Sequence, residues 1–358
     1  MKTLPVLHDS HSKVTNSSAL PDNGVSRREI LQGGLCAAAL FTLEFAASGC
    51  SISNGSNEES STNAREGCSV SGRPLVEIPA DKRIPIIWIE SGVCTGCAVS
   101  LLGNVDPGIE SVLPLLRLEF QETLMDGSGA TTADRLIETS TTLRGQYILI
   151  VDGSVSYDAM ADVTVLGVTS SGLELTAQEL ITQLASRALA VVALGTCASF
   201  GGIPAANPNP GGHGSIARLI PQGKPLVRLP GCPPNPAWIV ETLGVALTQG
   251  PGALSLDTLG RPLSAYGKLV HDACPRRNQY DAGNYATAPG DTTRCLVLVG
   301  CKGPTTHADC PSRLWNGRST CINANHPCMG CASPGFPDAR TDIGPEGEVA
   351  ASPFYVDP

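Results

Sequence analysis

Aromatic side chains are scarce in this 358-residue sequence: three Trp, six Tyr and six Phe make up 4% of it. That argues against an ordinary aromatic-rich core. Gly (39) and Pro (28) are abundant instead, as expected for a chain with much turn and loop wrapped around inserted cofactors. Positive charge is also short, 24 Lys and Arg against 33 Asp and Glu for a formal net of -9. The deficit argues against nucleic-acid binding and leaves room for docking a basic partner. Apolar runs long enough to span a bilayer are missing: the stretch from Gly33 to Ala47 is too short, and nothing downstream is a transmembrane candidate. Cysteine is what the chain has in excess, with 14 residues. A chain of this length can bury a sizeable core and needs no cross-links to compensate for small size, so the cysteines mean disulfides in an oxidising compartment or metal at ligand spacings.

The N-terminus carries Ser26-Arg27-Arg28-Glu29-Ile30-Leu31-Gln32 ahead of the apolar stretch, the order of a twin-arginine export signal. That route carries folded protein and suits a cofactor inserted before export. Ala46-Ala47-Ser48-Gly49-Cys50 resembles a lipoprotein cleavage box in which Cys50 would be acylated; ordinary signal-peptide cleavage nearby is the alternative. Acylation would tether the protein to a membrane without a spanning helix. Residues 1–50 are thus read as signal peptide. Residues 51–75, rich in Ser, Asn, Glu and Gly, are read as a disordered linker.

From Ile84 onward, strand-like runs alternate with helical ones. Ile84 to Glu90, Gly145 to Asp152 and Ala188 to Leu194 are short, apolar and β-branched, as buried parallel strands are. Thr176 to Arg187 and Pro236 to Thr248 read as helices, so residues 76–250 are expected to form an open doubly wound α/β domain. Ligands bind such sheets at the carboxyl ends of strands. The apolar runs end near Cys94 and Cys97, at Asp152-Gly153-Ser154, and at Gly195-Thr196-Cys197. Beyond about residue 255 periodicity fades into Cys, Pro and Gly, and residues 251–358 are expected to organise around metal.

Cys94-Thr95-Gly96-Cys97 alone is ambiguous among thiol redox, zinc and iron-sulfur roles. Cys197 and Cys232 lie in Gly- and Pro-rich loops of the same domain. Together they make four thiolates whose flanking glycines let backbone amides approach cluster sulfides, which suits a 4Fe-4S cluster better than a thiol-exchange pair. The second domain supplies His271, Cys274, Cys295, Cys301, Cys310, Cys321, Cys328 and Cys331, two sets of four. Zinc remains an alternative for the His-x-x-Cys and Cys-x-x-Cys elements, as do disulfides in an exported protein.

From Ile84 to Asp338 the chain resembles the small subunit of nickel-iron hydrogenases. The resemblance lies in Trp88 through Cys97, Gly195-Thr196-Cys197 with Phe200-Gly201-Gly202-Ile203-Pro204, and Pro230-Gly231-Cys232-Pro233-Pro234-Asn235-Pro236. It continues in Tyr266-Gly267, His271-Asp272-Ala273-Cys274-Pro275-Arg276-Arg277, Gly300-Cys301-Lys302-Gly303-Pro304 and His326-Pro327-Cys328-Met329-Gly330-Cys331. The resemblance implies an α/β fold, a flavodoxin-like doubly wound parallel sheet domain plus a C-terminal, loop-rich iron-sulfur domain. It assigns Cys94, Cys97, Cys197 and Cys232 to a proximal 4Fe-4S cluster, and His271, Cys274, Cys295 and Cys301 to a distal 4Fe-4S cluster. Cys310, Cys328 and Cys331 match medial ligands. Where many relatives carry proline and a 3Fe-4S cluster, this chain has Cys321, which implies a medial 4Fe-4S cluster of lower potential. That variant, and Ala98-Val99-Ser100 after Cys97, resemble the nickel-iron-selenium branch, whose selenocysteine would belong to the partner chain. Cys36, Cys50 and Cys68 remain outside the ligand sets. His307 and His326 are read as braces of the ligand loops.

The family's nickel-binding Asp-Pro-Cys-x-x-Cys element is missing from the sequence. The resemblance therefore implies an electron-transfer subunit paired with a large subunit that holds the nickel-iron centre and cleaves dihydrogen. The expected acceptor is external, a multihaem cytochrome c, and the location is periplasmic or on the outer face of the cytoplasmic membrane, reached through the twin-arginine export machinery. Two other readings compete. Cluster-bearing subunits of respiratory complexes keep mainly the proximal site, which the eight second-domain ligands speak against. A disulfide- or zinc-stapled exported binding protein would be colourless, where an iron-sulfur protein is brown.

Overall fold

The computed structural model describes residues 82–338 together with residue 79. The export signal, Cys36, Cys50, the linker with Cys68 and residues 339–358 lie outside the described residues. Five strands, β1 (Pro85–Glu90), β2 (Arg117–Gln121), β3 (Ile148–Asp152), β7 (Ala190–Leu194) and β9 (Leu226–Leu229), form one sheet in the order β2-β1-β3-β7-β9. Every pairing in it is parallel. Two antiparallel ribbons accompany it, β4 (Val155–Ser156) with β8 (His213–Gly214) and β5 (Val165–Val168) with β6 (Glu174–Thr176).

The three central strands read as unbroken apolar runs because both faces of the sheet are covered. Successive side chains point to opposite faces, and this alternation sorts the core into two clusters. Ile87, Ile89, Leu149, Val151, Val191 and Ala193 face the helices α2 (Ala130–Thr142) and α3 (Ala177–Arg187), with Leu136, Leu180, Ile181 and Leu184 between them. Ile86, Trp88, Ile148, Ile150, Val192 and Leu194 face the other way. They meet Leu101 of α1 (Gly96–Leu102) and Trp238, Ile239 and Leu243 of α5 (Pro236–Gln249). Each such side chain, fully buried, contributes about 1.5–3 kcal/mol.

Helix starts follow their side chains. The Thr176 hydroxyl accepts from the Glu179 amide, capping the head of α3, and donates to the Glu179 carboxylate. The Asn235 side chain accepts from the Ala237 amide, with Pro236 in the first turn of α5.

From residue 251 to 338 the longest helix is the five-residue turn Arg277–Asp281, and the remaining order is single helical turns and isolated bridges. Tyr266, Val270, Ala308, Ile322 and Ala332 of this segment belong to the cluster on the α1/α5 face. Hydrogen bonds fasten it there, among them Trp238 Nε1 to Asp309 (2.7 Å), the Tyr266 hydroxyl to the Pro230 carbonyl (2.7 Å), and the Asn235 side-chain amide to the Leu314 carbonyl (2.9 Å). Among the described residues no helix is long and apolar enough to cross a membrane.

Candidate metal centres

Three groups of potential ligands gather beside the α1/α5 face of the core, where Cys97, Cys274, Cys301, Cys310 and Cys328 pack among its apolar side chains. All eleven described cysteines are free thiols, so disulfides do not account for them.

The first group sits at the carboxyl ends of the central strands. Cys94 and Cys97 follow β1, Cys197 lies in the short helix α4 (Gly195–Phe200) after β7, and Cys232 follows β9. The four lie within electrostatic reach of one another: negative charge at Cys197 and Cys94 raises the Cys97 thiol, and Cys232 and Cys94 do the same to Cys197. Burial is the larger cause in both, pushing Cys197 up to about 12. Two glycines make the close approach feasible. Gly195, at φ 80°, leaves room that a Cβ would close to 2.6 Å from Cys97 Sγ, and at Gly202, φ 57°, a Cβ would come within 2.8 Å of Cys197 Sγ.

His271, Cys274, Cys295 and Cys301 line one small cavity together with Arg276 and Ile322. His271 Nε2 is buried there with no hydrogen-bond partner, and its ring stands edge-on to Tyr280 at 4.4 Å between centroids. Burial lowers the His271 pKa, favouring the neutral ring that a metal ligand must be. The last group, Cys310, Cys321, Cys328 and Cys331, lies between the other two: Cys331 feels charge at Cys232 of the first group, and Cys328 and Cys321 feel charge at Cys301 of the second. Charge at Cys331, Cys328 and Cys321 raises the deeply buried Cys310 thiol, burial again being the main cause. Cys328 and Cys331 are pushed up to about 12 and about 11 by burial.

The donor chemistry fits iron-sulfur clusters. Buried thiols with raised pKa values lose their protons when a metal compensates the charge. Backbone amides then supply the hydrogen bonds to sulfur that such clusters take. Backbone at Ile203, Arg276, Val297, Met329 and Gly330 lies close enough to the Cys197, Cys274, Cys295, Cys321 and Cys328 sulfurs to lower those thiols' pKa values, and the Cys328 amide donates to Cys301 Sγ at 3.3 Å. Among the described residues no three His, Cys, Asp or Glu side chains close around a single ion. A cluster asks for something else, separate thiolates each meeting its own iron.

Two neighbours of these groups had no assigned role in the sequence. Asp152 ends β3, is 1% exposed, and lies against Cys97; burial raises its pKa to about 7. Its position at a strand's carboxyl end was the available signal. Arg276, also buried, donates to the carbonyls of Asp291 (2.7 Å) and Arg294 (2.8 Å) and to the Asn325 side chain (2.6 Å). It thereby joins the Cys274 and Cys295 loops to the one following Cys321. His307 and His326 hydrogen-bond the carbonyls of Tyr266 and Pro327, bracing the adjacent loops.

Comparison with known proteins agrees with this geometry. Residues 266–343 match the family model for the C-terminal part of the NiFe/NiFeSe hydrogenase small subunit. Residues 94–246 match that of the NADH ubiquinone oxidoreductase 20 Kd subunit family, the segment holding the first group of cysteines. The chain is 38% identical over 293 residues to the periplasmic [NiFeSe] hydrogenase small subunit of Desulfomicrobium baculatum, covering 77% of this chain and 88% of that one. It is 34% identical to the quinone-reactive Ni/Fe-hydrogenase small chain of Wolinella succinogenes, covering 76% of each. The crystal structure of a reduced, active form of the Ni-Fe-Se hydrogenase from Desulfomicrobium baculatum superposes with a TM-score of 0.68 at 37% identity, covering 73% of this chain and 98% of that one. The recombinant [NiFeSe] hydrogenase of Desulfovibrio vulgaris Hildenborough gives 0.68 at 34% identity, covering 73% and 97%. With the cysteine groups, the parallel sheet and relatives of this identity and coverage in agreement, the chain belongs to the family of nickel-iron and nickel-iron-selenium hydrogenase small subunits.

Proposed function

We propose that this subunit relays electrons between a large-subunit active site and an external acceptor through three iron-sulfur clusters, each of the 4Fe-4S type. The observation that carries the reading is the gathering of eleven thiols and one imidazole beside one face of the core, where the Cys310 group feels charge from both the Cys232 and the Cys301 side; the family resemblance divides them into three sets of four. Cys94, Cys97, Cys197 and Cys232 would hold the proximal cluster, Cys310, Cys321, Cys328 and Cys331 the medial one, and His271, Cys274, Cys295 and Cys301 the distal one. Bound there, the clusters would supply one-electron transfer, while the chain supplies ligands, amide hydrogen bonds and burial that set their potentials. His271 contributes a neutral donor in place of a thiolate, leaving its group less negative and favouring electron arrival. Asp152, buried beside Cys97, adds an ionisable group to the proximal surroundings.

The large subunit is the heterodimer partner in which dihydrogen is cleaved. The finer reading is a periplasmic enzyme, exported by the twin-arginine route and carrying a lipid tether if Cys50 is acylated, that delivers electrons to a multihaem cytochrome c. Resemblance to the periplasmic Desulfomicrobium protein and the Arg27-Arg28 signal support it. The purified heterodimer is expected to reduce a multihaem cytochrome c under hydrogen, in a periplasmic fraction. Reduction of a quinone analogue with none of the cytochrome would replace this acceptor with a membrane one.

A further inference from the structure

We propose that Thr196 is a positioning residue for electron transfer: its buried hydroxyl, held by the Gly231 amide, pins the Cys331 carbonyl and so fixes the medial ligand loop against both proximal loops. The proposal rests on the three-cluster relay described above and names the contact that aligns its first gap.

Thr196 is 1% exposed and stands between Gly195 and Cys197. Its amide donates to the Gly231 carbonyl at 3.0 Å, and the Gly231 amide returns a bond to its hydroxyl at 2.8 Å. The loops carrying Cys197 and Cys232 are thus locked together. The same hydroxyl donates to the carbonyl of Cys331, a residue 135 positions away and a medial ligand. From the other side the Cys232 backbone lies against the Cys331 sulfur. A buried hydroxyl has one proton to give and lone pairs to receive, and Thr196 uses both on the backbone of the ligand loops.

The medial and distal groups are joined differently. The Cys328 amide donates to Cys301 Sγ at 3.3 Å, and the Lys302 amide to the Cys328 carbonyl at 2.8 Å. Those two links run from backbone to ligand residue, and the Arg276 side chain adds a bridge from the Cys274 and Cys295 loops to the Ile322 carbonyl and Asn325 beyond Cys321. At the proximal-to-medial gap the side-chain bridge is the Thr196 hydroxyl, so a change at this one residue can disturb its alignment. Electron tunnelling weakens steeply with distance and with loss of bonded contacts, so a loosened Cys331 loop slows that step without touching hydrogen cleavage in the partner.

Thr196→Val keeps the shape and removes the hydroxyl; Thr196→Ser keeps the hydroxyl and removes the methyl. In the purified heterodimer, Thr196→Val is expected to slow hydrogen-dependent reduction of an acceptor dye by about tenfold, the lower end of what loss of an outer-shell partner costs at a metal site. Iron content and dihydrogen-deuterium exchange, which need no relay, should match wild type. The amides of the Gly231 loop should exchange faster, and the medial cluster's EPR signal should broaden. Thr196→Ser should restore all of these. Wild-type dye reduction by Thr196→Val would overturn the proposal. So would equal impairment in Thr196→Ser, which would assign the effect to packing, or parallel loss of iron and isotope exchange in Thr196→Val, which would make the residue merely structural. Failure of the relay reading itself would show separately, as a wild-type heterodimer without cluster signals.

Discussion

Between residues 85 and 249 each long element buries an apolar face, whereas between 251 and 338 no helix exceeds five residues. The first region has apolar side chains on both sides of a parallel sheet. The second adds a few residues to one of those clusters and otherwise relies on hydrogen bonds such as those of Arg276, Trp238 and Tyr266. Yet it holds seven of the eleven described cysteines and the one histidine read as a ligand. The contrast teaches that hydrophobic burial shapes one half, and on the proposed reading metal coordination would do equivalent work in the other.

Removing the metal should break this comparison open most widely. Under anaerobic chelation residues 251–338 are expected to lose amide protection while β1, β3 and β7 keep theirs. Structural metal sites stabilise folded loops by on the order of 10 kcal/mol, the figure known for zinc peptides. Hydrogen exchange read by mass spectrometry checks it, and uniform loss across both halves would erase the distinction. Leu149→Ala probes the opposite side. Leu149 is wholly buried on the sheet face away from the cysteine groups, and its truncation should cost about 3 kcal/mol in urea unfolding with iron content unchanged. Arg276→Gln should have a smaller and more local effect, about 2 kcal/mol from lost charge-assisted hydrogen bonds. It should raise amide exchange around residues 291–295 and 322–325 and leave the sheet alone.

How much of this was legible in the sequence differs by element for physical reasons. β1, β3 and β7 announce themselves because strands buried on both faces are continuous apolar runs. The structure starts them at Pro85, Ile148 and Ala190, one to three residues inside the runs. β2, with the sequence Arg-Leu-Glu-Phe-Gln, and the four-residue β9, which carries Arg228, lie at the sheet edges. There half-exposed positions admit charge and dilute the pattern. α2 is rich in Thr, whose β-branched side chain weakens helix propensity. The helices read over Thr176 to Arg187 and Pro236 to Thr248 run Ala177–Arg187 and Pro236–Gln249 in the structure.

The candidate site divides in the same way. Cys94, Cys97, Cys197 and Cys232 could be grouped from the sequence, because the rule for parallel sheets sends strand ends to one place. Spacing does not separate the C-terminal cysteines. Cys301 and Cys310 are neighbours in sequence and belong to different groups, while Cys301 receives a hydrogen bond from Cys328 of another group. The partition there came from family resemblance, and the structure brings Cys321 into the company of Cys310, Cys328 and Cys331. Arg276 and Thr196 stood inside the family's motifs, but their reach across the chain is visible only once the loops are folded.

Iron and acid-labile sulfide per small subunit, measured in the purified heterodimer with EPR of oxidised and reduced samples, test the central claim most directly. Allowing for the partner's own iron, three 4Fe-4S clusters require about twelve irons, with no 3Fe-type signal on oxidation. Cys321→Pro should bring that signal in and lower the count to about eleven. Wild-type protein that already shows the 3Fe-type signal would remove Cys321 from the ligand set, and colourless protein free of iron would contradict the account altogether.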